Sequence, residues 1–208
     1  MPKKLKTYRI ETERLVIRCY QPSDAELLRK STEESKTHLL RFMDWAKAEP
    51  QTLIENEELI QKFRGNFDLG IDHVYGIFNK AETELIGGTG LHPRVGANAR
   101  EIGYWINVNY CNKGLATECT SALTKIGFEI ENLNRIQINC EPENSFSAAI
   151  PKKLGYTNEA ILKQRLKRSN GEFKDVMIFS MFKEDYEKSA VKNLKLKAFD
   201  FGGNEIKI

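Results

Sequence analysis

Residues 101–118 read EIGYWINVNYCNKGLATE, and this stretch decides the fold. Its first half alternates: Glu101, Gly103, Trp105 and Asn107 fall on one face, Ile102, Tyr104, Ile106 and Val108 on the other, which is the period of a strand. The period then changes. From Lys113 to Glu131 the apolar residues Leu115, Cys119, Leu123, Ile126 and Ile130 recur at helical spacing, and Asn132 to Asn134 end the run. A strand therefore passes through a glycine-bearing turn into a helix. The free backbone N–H groups at such a helix start, together with the positive end of its dipole, form a seat for a pyrophosphate. Gly114 and Ala116 leave room for it, Lys113 adds charge, and Asn112, Leu115 and Thr117 complete the turn. The glycine spacing fits neither a Walker A loop nor a dinucleotide fingerprint, and an ordinary helix start shares this look.

The flanking segments fall into the same two periods. RLVIRCY (Arg14 to Tyr20) alternates as a strand, and Ser23 and Asp24 after Pro22 suit the start of helical material running to about Lys47. The region from Gln51 to Phe67 repeats the helical pattern, with Leu53, Ile54, Glu57, Ile60 and Phe63 before Gly65. His73 to Asn79 and Leu85 to Leu91, joined by the polar Lys80 to Glu84, read as a hairpin. Downstream, Arg135 to Cys140 is a strand, and a short helix from about Asn144 to Leu154 stops at Gly155. Strands from Tyr156 to Arg168 and from Phe173 to Phe182 flank the turn signal Ser169, Asn170, Gly171. The whole predicts one mixed α/β (α+β) domain over residues 1–188, with a largely antiparallel sheet of about seven strands and helices on both faces. Residues 189–208 read as an appended C-terminal extension of no assignable role.

Composition bounds the function classes. A chain of 208 residues with 40% hydrophobic content closes one core without disulfide or metal support. A net charge of +3, with the basic residues interspersed among acids after a basic start (Lys3, Lys4, Lys6), is too mild for direct nucleic-acid binding. No apolar run approaches the ~20 residues of a membrane span. Cys19, Cys111, Cys119 and Cys140 lack CxxC spacing, and no basic segment with a following apolar stretch precedes the fold. The expectation is four reduced thiols in a cytoplasmic protein without a metal site.

CNKGLA (Cys111 to Ala116) resembles the acyl-CoA signature Q/RxxGxG/A of the GNAT superfamily of N-acyltransferases, with Cys111 in place of the usual Gln or Arg. EIGYW (Glu101 to Trp105) resembles the RimL/RimJ-like branch, whose members acetylate protein N-termini. NSFSAAIPKKLGY (Asn144 to Tyr156) resembles that branch's NxxS block ending in KLGY. The resemblance covers roughly residues 10 to 183. It implies a GNAT fold whose sheet splays at the acyl-CoA site, acetyl-CoA as co-substrate and a primary amine as acceptor. The implied acceptor is a protein N-terminal α-amine; a polyamine, an amino sugar or an antibiotic is the alternative, as is a module that binds acyl-CoA without turnover. A homodimer is left open.

The same resemblance implies that the main chain of Ile106, Asn107 and Val108 pairs with the pantetheine arm, one N–H polarising the thioester carbonyl. Asn139 and Asn144 would bond pantetheine amides; Asn144 reads equally as a helix N-cap. Many GNAT enzymes place a tyrosine four residues before the glycine of the KLGY-type block to protonate the departing thiolate, and Pro151 stands there in this chain. The branch implies Ser147 instead, as catalytic group and cofactor contact. Glu101 is the first candidate base, acting through a water, against the alternative of a strand-end carboxylate in a salt bridge. His92 ranks second and His38 third. HLLRFMDWAK (His38 to Lys47) resembles the segment that lines the acceptor groove of RimL-like enzymes.

Overall fold

The computed structural model describes residues 6–208; Lys3 and Lys4 of the basic start lie outside them. The elements run β1 (Arg9–Glu11), β2 (Leu15–Cys19), α1 (Ala25–Leu39), α2 (Leu53–Leu69), β3 (His73–Asn79), β4 (Leu85–His92) and β5 (Ala99–Ile106). They continue α3 (Leu115–Glu129), β6 (Arg135–Cys140), α4 (Ser145–Leu154), β7 (Thr157–Lys167), β8 (Phe173–Phe182), α5 (Lys183–Lys188), β9 (Lys197–Phe199) and β10 (Glu205–Ile206). All ten strands join one sheet in the order β10-β9-β1-β2-β3-β4-β5-β6-β8-β7. Every neighbouring pair is antiparallel except β5 with β6.

Alternation along the strands divides the core between the two faces of the sheet. Val16, Tyr20, Phe78 and Leu85 pack with Leu28 of α1 and Ile60 of α2. Leu15, Ile17, Ile77, Leu91 and Ile102 pack with Cys119, Leu123 and Ile126 of α3. The predicted α/β class with helices on both faces is what the chain adopts. The sheet exceeds the expected seven strands because the terminal segments add β1, β9 and β10. Ile10 of β1 stands opposite Ala198 of β9, and Val191 and Ala198 are buried. Lys125 of α3 donates to the carbonyls of Lys192 and Leu194, so the extension is tied to the domain's main helix.

Several boundaries differ from the expected ones. The helix before the hairpin passes through Gly65 and ends at Gly70, whose φ of 72° closes it. Helix α1 stops at Leu39 rather than near Lys47: Met43 is extended, and a 3-10 turn over Asp44–Ala48 follows. β5 ends at Ile106 because the Asn107 side chain accepts from Asn109 N and caps a 3-10 turn over Val108–Tyr110. That turn has a consequence for the sheet. β5 and β6 pair only through Ala99↔Arg135, Arg100↔Ile136 and Glu101↔Gln137, and then they part. The far half of β5 faces a gap where a strand would otherwise lie.

Candidate active site

The head of the gap is the turn before α3. Asn112 (φ 61°) and Gly114 (φ 75°) are both left-handed, a conformation that glycine adopts without a side-chain penalty. The first helical bond runs from Glu118 N to Gly114 O at 3.1 Å. The N–H groups of Leu115, Ala116 and Thr117 therefore have no helical partner and point out of the helix start. Glu118 anchors this turn, accepting from Thr12 Oγ1 (2.6 Å), Arg14 N (3.0 Å) and Arg14 Nε (2.6 Å), while Arg14 Nη1 donates to Lys113 O (2.9 Å). The sequence reading passed over Arg14 as a brace. Lys113 is turned away from the helix start: its Nζ donates to Asn109 O at 2.9 Å and lies 5.0 Å from the Tyr110 ring centroid. Cys111, at the signature's Gln/Arg position, has its Sγ 3.6 Å from His38 Nε2.

Of the three main-chain groups expected along the pantetheine path, two N–H groups are already spent. Asn107 N donates to Ile86 O at 2.7 Å, and Val108 N donates to Ser35 Oγ at 3.1 Å. Asn107 is buried, its amide donating to Ser31 Oγ and Glu34 Oε2. Since Asn107 bonds toward β4, strand alternation turns the N–H and C=O of Ile106 toward the gap. Ile106 alone of the three keeps the expected exposure. Asn144 is a helix cap, its Oδ1 accepting from Ser147 N at 3.1 Å. Asn139 Nδ2 donates to Glu101 Oε2 at 3.1 Å and its Oδ1 accepts from Gln137 Nε2 at 2.8 Å. Both asparagines thus carry internal bonds where ligand bonds were expected.

Ser147 does face the gap, and it brings a partner that the sequence reading did not name. Its Oγ lies 3.0 Å from the hydroxyl of Tyr104, which also donates to Ser147 O at 3.1 Å. Burial holds the Tyr104 hydroxyl well above the ordinary tyrosine range, so it stays protonated. Burial likewise raises the Cys140 thiol, on the last residue of β6 beside Ser147. The four cysteines are free, and no cluster of metal-ligating side chains occurs among the described residues.

The candidate bases separate clearly. Glu101 is buried, and Arg94 holds both of its oxygens, at 2.9 and 2.7 Å, with Asn139 on one of them. It stands in a strand-end ion pair, and it also borders one of the hollows. His38 stands on the cofactor side, against Cys111. His92 is different. Its Nδ1 lies 2.9 Å from Asp72 Oδ1, and against a carboxylate acceptor that nitrogen is the donor, so in the neutral ring the lone pair is on Nε2. The ring lies close against bare strand: a Cβ built on Gly90 would come within 2.6 Å of His92 Nε2, and one on Gly103 within 3.3 Å. The sequence could not pair His92 with Asp72, because they sit on different segments.

Three hollows meet at Tyr104. One of about 400 Å³ runs from the turn at Asn112–Thr117 to Ser147. A second of about 780 Å³ follows the parted strands past Glu101 and Asn139, and a third of about 690 Å³ lies under the α1–α2 connection beside His92 and Trp105. Phe42 and Met43 line all three, so the His38 to Lys47 segment does reach the site. A helix start with unpaired N–H groups, a parted sheet and three hollows that share Tyr104 form the candidate site.

The chain belongs to the acetyltransferase (GNAT) domain family, whose model matches residues 14–157. It is an acyltransferase of that family. It is 29% identical over 180 residues to the uncharacterized N-acetyltransferase p20 of Bacillus licheniformis, covering 84% of this chain and 96% of that one. It is 26% identical over 184 residues to the ribosomal protein uS5-alanine N-acetyltransferase of Escherichia coli, covering 86% and 92%. Among solved structures it matches RimL, a ribosomal L7/L12 alpha-N-protein acetyltransferase in complex with coenzyme A. That match has a TM-score of 0.75 and 22% identity over 82% of this chain and 95% of the other, and it speaks for the fold alone. No helix is long and apolar enough to cross a membrane among the described residues.

Proposed function

We propose that the chain moves an acetyl group from acetyl-CoA to a primary amine, and that the acceptor is a protein N-terminal α-amine. The observation that carries the reading is the continuity of the cradle at Leu115–Thr117, the gap along β5 and the Tyr104–Ser147 pair. The left-handed turn and the unspent N–H groups fit a pyrophosphate, and the parted strands fit an extended arm. The first-turn N–H groups would hold the phosphates, and the main chain of Ile106 would hold the arm. When bound, acetyl-CoA supplies an activated acyl group. The remaining work falls to side chains of this chain. His92, held by Asp72, takes the proton of the acceptor amine at Nε2. Ser147 supplies a hydrogen bond to the departing thiol, with Tyr104 behind it as a protonated donor. The choice of an α-amine follows from likeness to the uS5-alanine enzyme, and the acceptor-side hollows have room for a peptide end.

The test is thiol release from acetyl-CoA against a panel of N-terminal peptides and small amines, with cofactor binding measured separately. Turnover on peptides supports the full reading; turnover on small amines alone removes the α-amine; binding without turnover on every acceptor overturns catalysis. Ser147→Ala is expected to lower kcat by about 10- to 1,000-fold with acetyl-CoA affinity nearly unchanged, since the lost bond strengthens only as charge builds on sulfur.

A further inference from the structure

Five carboxylates are buried in this protein: Asp24, Glu49, Glu101, Glu131 and Glu141. Four of them face a cation. Asp24 pairs with Arg18, Glu101 with Arg94, Glu131 with Arg100 and His73, and Glu141 with Arg168. Glu49, only 4% exposed, pairs with none among the described residues. Its Oε2 accepts from Thr32 Oγ1 (2.9 Å) and from Gln51 N (3.2 Å), while its Oε1 accepts nothing. That oxygen is not among the polar atoms sealed from solvent, so it opens onto space that a ligand can reach, and a cation is the partner a carboxylate oxygen binds most strongly.

Glu49 borders the 690 Å³ hollow that also holds His92 and Trp105. Aromatic rings line the same space: Trp45 meets Trp105 edge to face with centroids 5.9 Å apart, and Tyr20 meets Phe63 at 5.8 Å. Ring faces attract a cation, and more so where water is excluded. The arginines that border the hollow do not supply that cation, since Arg94 is held by Glu101, and Arg168 by Glu141 and Asp44. Among the described residues no cation stands against Glu49, and the hollow is open to one carried by a ligand.

Resting on the acetyl-transfer reading above, we infer that the acceptor carries a second positive group, an ammonium or guanidinium, which seats against Glu49 inside this aromatic-lined hollow while its reactive amine lies near His92. Two sources share that chemistry: a basic side chain close to the N-terminus of a peptide, and the distal ammonium of a diamine. Acceptors matched except for that charge separate them: a short peptide with lysine or with norleucine near its N-terminus, and butane-1,4-diamine or butylamine. The cationic member of one pair is expected to have a kcat/KM about 10- to 100-fold higher, as a charge-assisted hydrogen bond allows. The pair that shows the preference names the source.

Glu49→Gln keeps an acceptor oxygen for Thr32 and Gln51 and removes the charge. It is expected to bring the cationic-to-neutral ratio to about one, leaving acetyl-CoA affinity and melting temperature in place. No preference in the natural protein, or the same preference in Glu49→Gln, overturns the inference and leaves acetyl transfer standing. Should no acceptor be turned over, the transfer reading falls instead. Calorimetric binding of the same pairs to the CoA-loaded protein then decides Glu49: a cation preference lost in Glu49→Gln upholds the seat, and equal binding overturns it.

Discussion

The cofactor side and the acceptor side of the gap are built by different means. The proposed cradle is one continuous stretch, Asn112 to Thr117, which offers main-chain N–H groups at the start of α3 and is braced by the Glu118–Arg14 pair. The acceptor side gathers side chains from four segments: Glu49 from the α1–α2 connection, Asp72 before β3, His92 at the end of β4 and Trp105 from β5. Main-chain recognition at a helix start tolerates changed side chains, so the proposed cradle is compatible with Cys111 where the signature has Gln or Arg. A side-chain assembly depends on each member. Mutations on the two sides should therefore separate cofactor affinity from turnover.

The sharpest break is His92→Gln. Removal of the base is expected to lower kcat by about 100- to 10,000-fold at neutral pH with acetyl-CoA affinity unchanged. Single-turnover acetylation with parallel calorimetry checks both halves, and a kcat within a few-fold of the natural protein would move the base elsewhere. On the other side, Gly114→Glu combines a non-glycine residue at φ 75° with a negative charge at the phosphate seat. It is expected to weaken acetyl-CoA binding by about 10- to 100-fold, read by calorimetry on protein shown folded by circular dichroism. Unchanged affinity would remove the cradle from this turn.

Tyr104→Phe is the smallest of the three and lies on the border between the two sides. Loss of its bond to Ser147 is expected to reduce kcat about 3- to 10-fold. Because burial raises the Tyr104 hydroxyl, its donor form persists as pH rises, so the alkaline limb of the kcat profile should be the same in Tyr104→Phe as in the natural protein. A limb that shifted in the variant would make Tyr104 the titrating acid.

Legibility in the sequence follows the same division. The strand, turn and helix of residues 101–118 were readable because strand period, glycine and helical period are local properties. Seven strands and their order were readable for the same reason. Gly65 does not stop its helix: at a solvent-facing position, where an added Cβ would touch nothing within 4 Å, a glycine only lowers propensity and the helix passes through it. Asn107 and Val108 misled because their alternation continues the strand, while the Asn107 side chain ends it by capping the turn that follows.

By itself the sequence determined the class of fold, the glycine turn that opens α3 and Ser147 as a residue facing the gap, since each depends on residues near one another along the chain. Only the tertiary structure decided that Glu101 is paired with Arg94, that His92 is held by Asp72, that Tyr104 backs Ser147 and that Glu49 has no cation against it among the described residues. The physical reason is range. Backbone periodicity is written within a few residues, whereas the state of a buried charge or a hydrogen-bonded side chain is set by groups that meet across the sheet.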